Sequence, residues 1–170
     1  GFETYQKILE EAVHELKETE FKDLFKEDLD KKRQYVRDVE IDTDIEMLIP
    51  DAYIPVIQER LLLYTELDTI SDEAGLSSFK MKLKDRFGTI PKQVDELVDA
   101  LRLRWICKEL GFERLSYKNN KLRCFFIANA QSSYFESELF QKLLKFVSID
   151  GQKMGLTLKQ SKNFLIVIKE

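Results

Sequence analysis

This sequence is short of several things, and each shortage removes a class of function. It has one histidine, His14, with no nucleophile near it in the chain, so no base-and-nucleophile pair can be picked out. Its six glycines are scattered and none precedes a Lys-Ser/Thr pair, which excludes a phosphate-cradling loop. A nucleophile elbow and paired-cysteine zinc spacing are both absent. The two cysteines, Cys107 and Cys124, lie in apolar surroundings and read as reduced core residues of a cytoplasmic protein, with no disulfide. No apolar run approaches the roughly 20 residues that span a bilayer, and no signal-peptide pattern opens the chain. Acids are plentiful, but nothing singles out two of them as a catalytic dyad. The inventory points to a non-catalytic chain with no cofactor and no metal of its own, away from membranes.

What remains is a globular composition. The chain has 170 residues, 44% hydrophobic and 34% charged, enough for one domain with a real core. The net charge of -4 argues against nucleic acid as the main partner. It is unevenly spread: residues 1–51 carry 16 acids against 8 bases, and the rest of the chain is net +4. An acidic front and a mildly basic back suit a protein contact as readily as a nucleic-acid one.

Phe2, Tyr5, Ile8, Leu9, Ala12, Val13 and Leu16 form an apolar stripe at helical spacing, with His14 on the exposed side of that helix or beside the stripe. A pattern that begins at residue 1 reads as a piece of a longer protein. Glu18 to Asp38, with Lys31-Lys32-Arg33, reads as an exposed, charge-dense connection. From Val39 to Met47 apolar residues alternate with Glu40, Asp42, Asp44 and Glu46, the pattern of a half-buried strand with a solvated acidic face. Those carboxylates are spread along the strand and do not converge on a cation.

Pro50 and Pro55 stiffen the loop that follows. A helix is expected from Val56 to about Leu67, with Ile57, Leu61, Tyr64 and Leu67 inward and Arg60 turned away. A second runs from a capping Asp72 to Arg86 with Leu76, Phe79, Leu83 and Phe87 inward, and a third from Pro91 to about Leu110 with Trp105 in the core. The last third reads as a hairpin with an Asn119-Asn120 turn, a helix near 135–147 capped by Ser132 or Ser133, and a second hairpin over 155–168. Strands at both ends of a helical middle give an α+β fold: an antiparallel sheet built from the early strand and the C-terminal hairpins, packed against several helices. Within residues 1–170, read as one domain, 1–38 form the N-terminal helix and charged connection and 39–170 the α+β body. Residues 116–170 hold nine Lys/Arg against four acids, with Tyr117, Phe125, Phe126 and Tyr134 among them. That mixture suits single-stranded nucleic acid, but the aromatics read more simply as core.

The middle of the chain is Asp85-Arg86-Phe87-Gly88-Thr89-Ile90-Pro91, a helix stop followed by a helix start. Gly88 is placed for a left-handed residue, Thr89 for an N-cap, and Pro91 for a first helical residue. Phe87 belongs in the core, which leaves Asp85 and Arg86 free for a partner.

Several stretches then align in one order: Gly1-Phe2 with Tyr5 and Leu9-Glu10-Glu11-Ala12-Val13, Ile49-Pro50-Asp51 with Tyr53-Ile54-Pro55, Glu59-Arg60-Leu61 with Tyr64, and Asp85-Arg86-Phe87-Gly88 with Pro91. Together they resemble the C-terminal domain of the bacterial transcription-repair coupling factor, Mfd, over residues 1 to about 111. The resemblance implies a parent that is an ATP-dependent DNA translocase, using ATP and Mg in other domains, and a parent that meets RNA polymerase, UvrA and DNA. It implies a regulatory clamp for this domain, masking the parent's N-terminal UvrA-binding module, with Lys82, Asp85 and Arg86 at the contact. The family often has an acid three residues before the Asp, where this chain has Lys82. The alternative expectation is a nucleic-acid-binding accessory domain that assists the translocase through the basic last third.

Overall fold

A computed structural model describes Ile8 and residues 35–162 and 164–169. The stripe around His14 and the charged connection to residue 34 lie outside the described residues. By its contacts the chain divides into two units, Gly1–Tyr35 and Val36–Glu170, and the second is described here.

Its elements follow in the order β1 (Glu40–Thr43), α1 (Ile57–Thr69), α2 (Glu73–Phe87), α3 (Lys92–Leu110), β2 (Phe112–Lys118) and β3 (Lys121–Phe126). A 3-10 turn at Ser133–Glu136 leads into α4 (Glu138–Ile149), and a second at Gly151–Met154 leads into β4 (Leu156–Ser161) and β5 (Phe164–Lys169). The fold is α+β. One five-stranded sheet has the order β1-β2-β3-β5-β4. Its strands are antiparallel except at one edge, where β1 runs parallel to β2. The exception follows from the connection: three helices separate β1 from β2, and a parallel neighbour needs a long crossover of that kind.

Local chemistry accounts for most element ends. Asn119 and Asn120 take left-handed φ values of 52° and 60°, the conformation that a two-residue hairpin turn requires. The Asp72 side chain accepts from Gly75 N at 2.7 Å and caps α2. Three expectations are corrected. The strand over 39–47 spans only Glu40–Thr43; beyond it Asp44 keeps one backbone bond, its N donating to Tyr117 O at 3.4 Å, and its carboxylate accepts from Asn119 N at 3.0 Å. The cap of α4 is Ser137, which accepts from Phe140 N at 3.2 Å, while Ser132 caps the 3-10 turn before it. Thr89 is not a cap: α3 starts at Lys92, and Pro91 stands at its N-cap position without a side-chain bond.

The core beneath α1, α2 and α3 is built from Ile49, Ile54, Leu63, Leu67, Leu76, Phe79, Leu83, Val94, Val98 and Leu101, with Phe87 and Trp105 packed partly against it. On α1 the buried side chains are Leu63 and Leu67, whereas Ile57 and Leu61 are exposed. The expected stripe is therefore rotated from the real one by most of a residue step. Tyr64 and Leu67 belong to both stripes, which is why periodicity alone does not separate them.

Gly88 ends α2 with φ 88° and ψ −157°, and its N–H reaches Lys84 O. That combination is open almost only to glycine. A Cβ built there meets nothing within 4 Å, so the cost of any replacement is backbone strain alone. Gly88→Ala should lower stability by about 1–3 kcal/mol, read as a drop of several degrees in the thermal midpoint. An unchanged midpoint would show that the corner tolerates another conformation.

Candidate protein interface

The corner after α2 is braced from a distance by the residues of the proline loop. Tyr53 N and Ile54 N both donate to Pro50 O at 3.0 Å, closing a tight turn. The Tyr53 hydroxyl then lies 2.9 Å from Gly88 O and 3.2 Å from Leu83 O, and its single proton holds the loop to the end of α2. Burial raises the Tyr53 phenol above its ordinary value, keeping that proton in place. Its ring meets Phe87 edge-on at 6.0 Å. From the other side, Arg60 donates to Ile54 O at 2.7 Å and Pro55 O at 3.1 Å, and the Tyr64 hydroxyl accepts from Ile49 N at 2.7 Å. Arg60 thus turns back onto the loop before α1. Its job is structural.

The same corner brings Lys82, Asp85 and Arg86 together on α2, opposite α1. Lys82 pairs with Glu66 and lies 5.6 Å from the centre of the Phe79 ring. Arg86 pairs with Glu59 at 3.1 Å and lies 4.7 Å from the centre of the Phe87 ring. Lys82 and Arg86 are one helical turn apart on α2 and their partners Glu66 and Glu59 two turns apart on α1, so two rungs join the helices. Each rung is partly solvated and contributes roughly 0–1 kcal/mol. Asp85 is different. It is exposed and has no ion-pair or hydrogen-bond partner among the described residues. It also sits in the last turn of α2, where the negative end of the helix disfavours an acid by about 0.3–1 kcal/mol.

Apolar side chains lie beside these charges. Leu62 follows Glu59 by three residues and precedes Glu66 by four, so it shares their side of α1, and it is 71% exposed. Met81, one turn before Asp85 on the same side of α2, is 67% exposed. Ile57 and Leu61 continue the apolar surface along α1. Large exposed hydrophobics rimmed by charge are the usual composition of a protein-binding patch. Periodicity missed them because it places Leu61 and Ile57 in the core.

Two adjoining clefts of about 420 and 300 Å³ lie between the β1 segment and α3, lined mainly by Ile41, Met47, Leu101, Leu103 and Tyr117. Arg104 and Asp68 stand at one end, 3.8 Å apart. On the acidic side of β1, Asp42 lies 2.8 Å from Lys118 and 3.1 Å from Arg114, and the Lys118 hydrogen bond chiefly holds its carboxyl below the ordinary range. Among the described residues no three His, Cys, Asp or Glu side chains are grouped to hold a metal, and no helix is long and apolar enough to cross a membrane.

A family model described as the TRCF domain matches residues 43–137. The transcription-repair-coupling factor of Rickettsia conorii is 28% identical over 170 residues, covering 100% of this chain and 13% of that protein. The Escherichia coli K12 protein of the same name is 34% identical over 115 residues, covering 68% of this chain and 9% of that protein. That of Staphylococcus epidermidis is 25% identical over 174 residues, covering 99% of this chain and 14% of that protein. The crystal structure of the C-terminal domain of transcription-repair coupling factor superposes with a TM-score of 0.61 at 20% identity, over 77% of this chain and 78% of that one, a likeness of fold.

Proposed function

This chain belongs to the transcription-repair coupling factor family, and we propose that it is a non-catalytic, protein-binding regulatory domain of a coupling factor. The parent is an ATP-dependent DNA translocase that removes stalled RNA polymerase and recruits excision repair through UvrA. ATP and Mg belong to its motor, and this domain carries no cofactor. In the resting state the domain covers the parent's N-terminal UvrA-binding module and restrains the motor.

The reading rests on Asp85. An unpaired carboxylate at the unfavourable end of a helix, beside paired neighbours and exposed Leu62 and Met81, gains most from a base brought by a partner. Lys82 and Arg86 are engaged with α1, so they act by holding the α1–α2 surface in shape and by setting the charge around Asp85. Release requires a ligand of the parent that stabilises the open form preferentially.

The test is Asp85→Asn, alone and combined with Arg86→Ala, in the full-length coupling factor. Both changes should raise UvrA binding and basal ATP hydrolysis together, by about 5–150-fold in the open-to-closed ratio if the contact is a typical coupling of 1–3 kcal/mol. Asp85→Asn leaves every intramolecular rung intact, so its effect is not a folding effect. No change in either readout would overturn the role of the corner.

A further inference from the structure

The face of the sheet turned away from the helices carries a second surface. Cross-strand partners share a face, and the register defines two rows: Asp42–Ser116–Arg123–Ile168–Thr157, and Glu40–Arg114–Phe125–Ile166–Lys159. Phe164, two residues from Ile166 on β5, belongs to the same face. The opposite face holds Phe126, which packs on Tyr134 and on Phe140 of α4, and Leu115 and Tyr117, which line the cleft under α3. The helices that contact the sheet thus lie on that other side.

We propose that the Arg123–Phe125–Phe164–Lys159 face binds single-stranded nucleic acid. Phe125 and Phe164 meet edge-on at 5.8 Å, and Phe164 remains 38% exposed. The Arg114 guanidinium lies 5.0 Å from the Phe125 ring centre, adding a second planar group beside the pair. Arg123 and Lys159 are exposed and make no ion pair or hydrogen bond among the described residues. They stand on β3 and β4, two strand spacings or on the order of 10 Å apart, with the buried Ile166 of β5 between them, Phe125 next to Arg123 on β3 and Phe164 one row beyond Lys159. Of the acids in these rows, Asp42 is neutralised by Lys118 and Arg114, and Glu40 stands on the edge strand β1, two strand spacings from Phe125. Phosphates therefore meet two uncommitted cations, and an unpaired base meets a ring.

A duplex does not fit this chemistry, because its bases are already stacked and offer no face to Phe164. An acidic peptide satisfies Arg123 and Lys159 but has no use for the exposed ring. A single strand uses both, and such stacking is tolerant of sequence.

The test uses the 170-residue chain and a fluorescein-labelled oligothymidylate, read by anisotropy over a salt series. Binding should appear at low salt and weaken with added salt. Arg123→Gln/Lys159→Gln should weaken it and flatten the log–log salt slope by about 1.4, two contacts at roughly 0.7 each for a single strand. Phe164→Leu should weaken it roughly tenfold or more with the slope unchanged. Thermal melts of each variant confirm folding, and the Gln pair, exposed and unbonded, keeps the test valid if Phe164→Leu unfolds. Absence of binding at low salt overturns the proposal. So does equal binding of the matching duplex with Phe164→Leu silent, or polyglutamate competing as well as the oligonucleotide, which marks an acidic-peptide site.

Discussion

Gly111→Ala should be the most destabilising single-methyl change in this domain. Gly111 closes α3 in the left-handed region, with φ 92° and ψ 22°, its N–H bonded to Cys107 O. A Cβ there lands 2.2 Å from Cε2 of Tyr134 and 2.3 Å from Cζ, inside the ring's van der Waals radius. Tyr134 has no room to retreat: it is fully buried, it touches Phe126, Phe135 and Phe140, and its hydroxyl donates to Leu110 O at 2.5 Å. The left-handed backbone adds about 1–2 kcal/mol, overpacking about 1–3 kcal/mol, and the displaced hydroxyl about 0.5–1.5 kcal/mol. A loss near 4 kcal/mol is expected, a large part of the 5–15 kcal/mol that holds a typical domain. At about 2–4 °C per kcal/mol for a chain of this size, the midpoint should fall by roughly 10 °C or more. Gly88→Ala serves as the control, since it carries the backbone strain without a clash. Equal losses at the two sites would show that the Tyr134 ring yields freely.

The two thiols should be inert in the folded chain. Cys107 is buried on α3, and Cys124 stands between Leu115 and Val167 on the helix-covered face. Burial pushes Cys107 up to about 11, and burial together with the charge of Cys107 pushes Cys124 up to about 12, from an ordinary 9.0. At pH 8 the thiolate fraction of Cys124 is then about a thousand-fold smaller than in the unfolded chain. Iodoacetamide should alkylate it slower by about that factor until denaturant is added. Both thiols are neutral when protonated and have raised values in the folded state. Their contribution to stability is therefore complete below pH 9 and is lost as pH rises through 11 to 12. A Cys107→Ala/Cys124→Ala chain should show a shallower alkaline decline in midpoint. Alkylation of the native chain at the free-thiol rate would sink this account.

The stretches that carry the family resemblance prove to have two different kinds of content. Tyr53, Arg60 and Tyr64 are hydrogen-bonded to the loop and to the corner, so they brace the interface without facing a partner. Phe87 and Gly88 make the turn. Of the charges expected at the contact, Arg86 is tied to Glu59 and Lys82 to Glu66, and among the described residues Asp85 alone of the three is uncommitted. The aromatics of the last third divide the same way: Phe126 and Tyr134 are core, while Phe125 and the unremarked Phe164 share the outer face of the sheet. Phe164 to Ile168 is an unbroken apolar run, so the pattern does not say which side the helices take.

By itself the sequence determined the helices of the middle, both hairpins, the Asn119-Asn120 turn, the Asp72 cap, and the glycines that stop α2 and α3. Each depends on interactions within a few residues, and local chemistry is written in local order. The tertiary structure alone decided that β1 joins the sheet in parallel, that β5 inserts between β3 and β4, and that α1 buries Leu63 and leaves Leu61 and Leu62 in water. It also decided the rungs Glu59–Arg86 and Glu66–Lys82, which join residues far apart in the chain. An apolar stripe fixes a helix's period but not which of two adjoining stripes meets the core, because burial is a property of the neighbour that arrives.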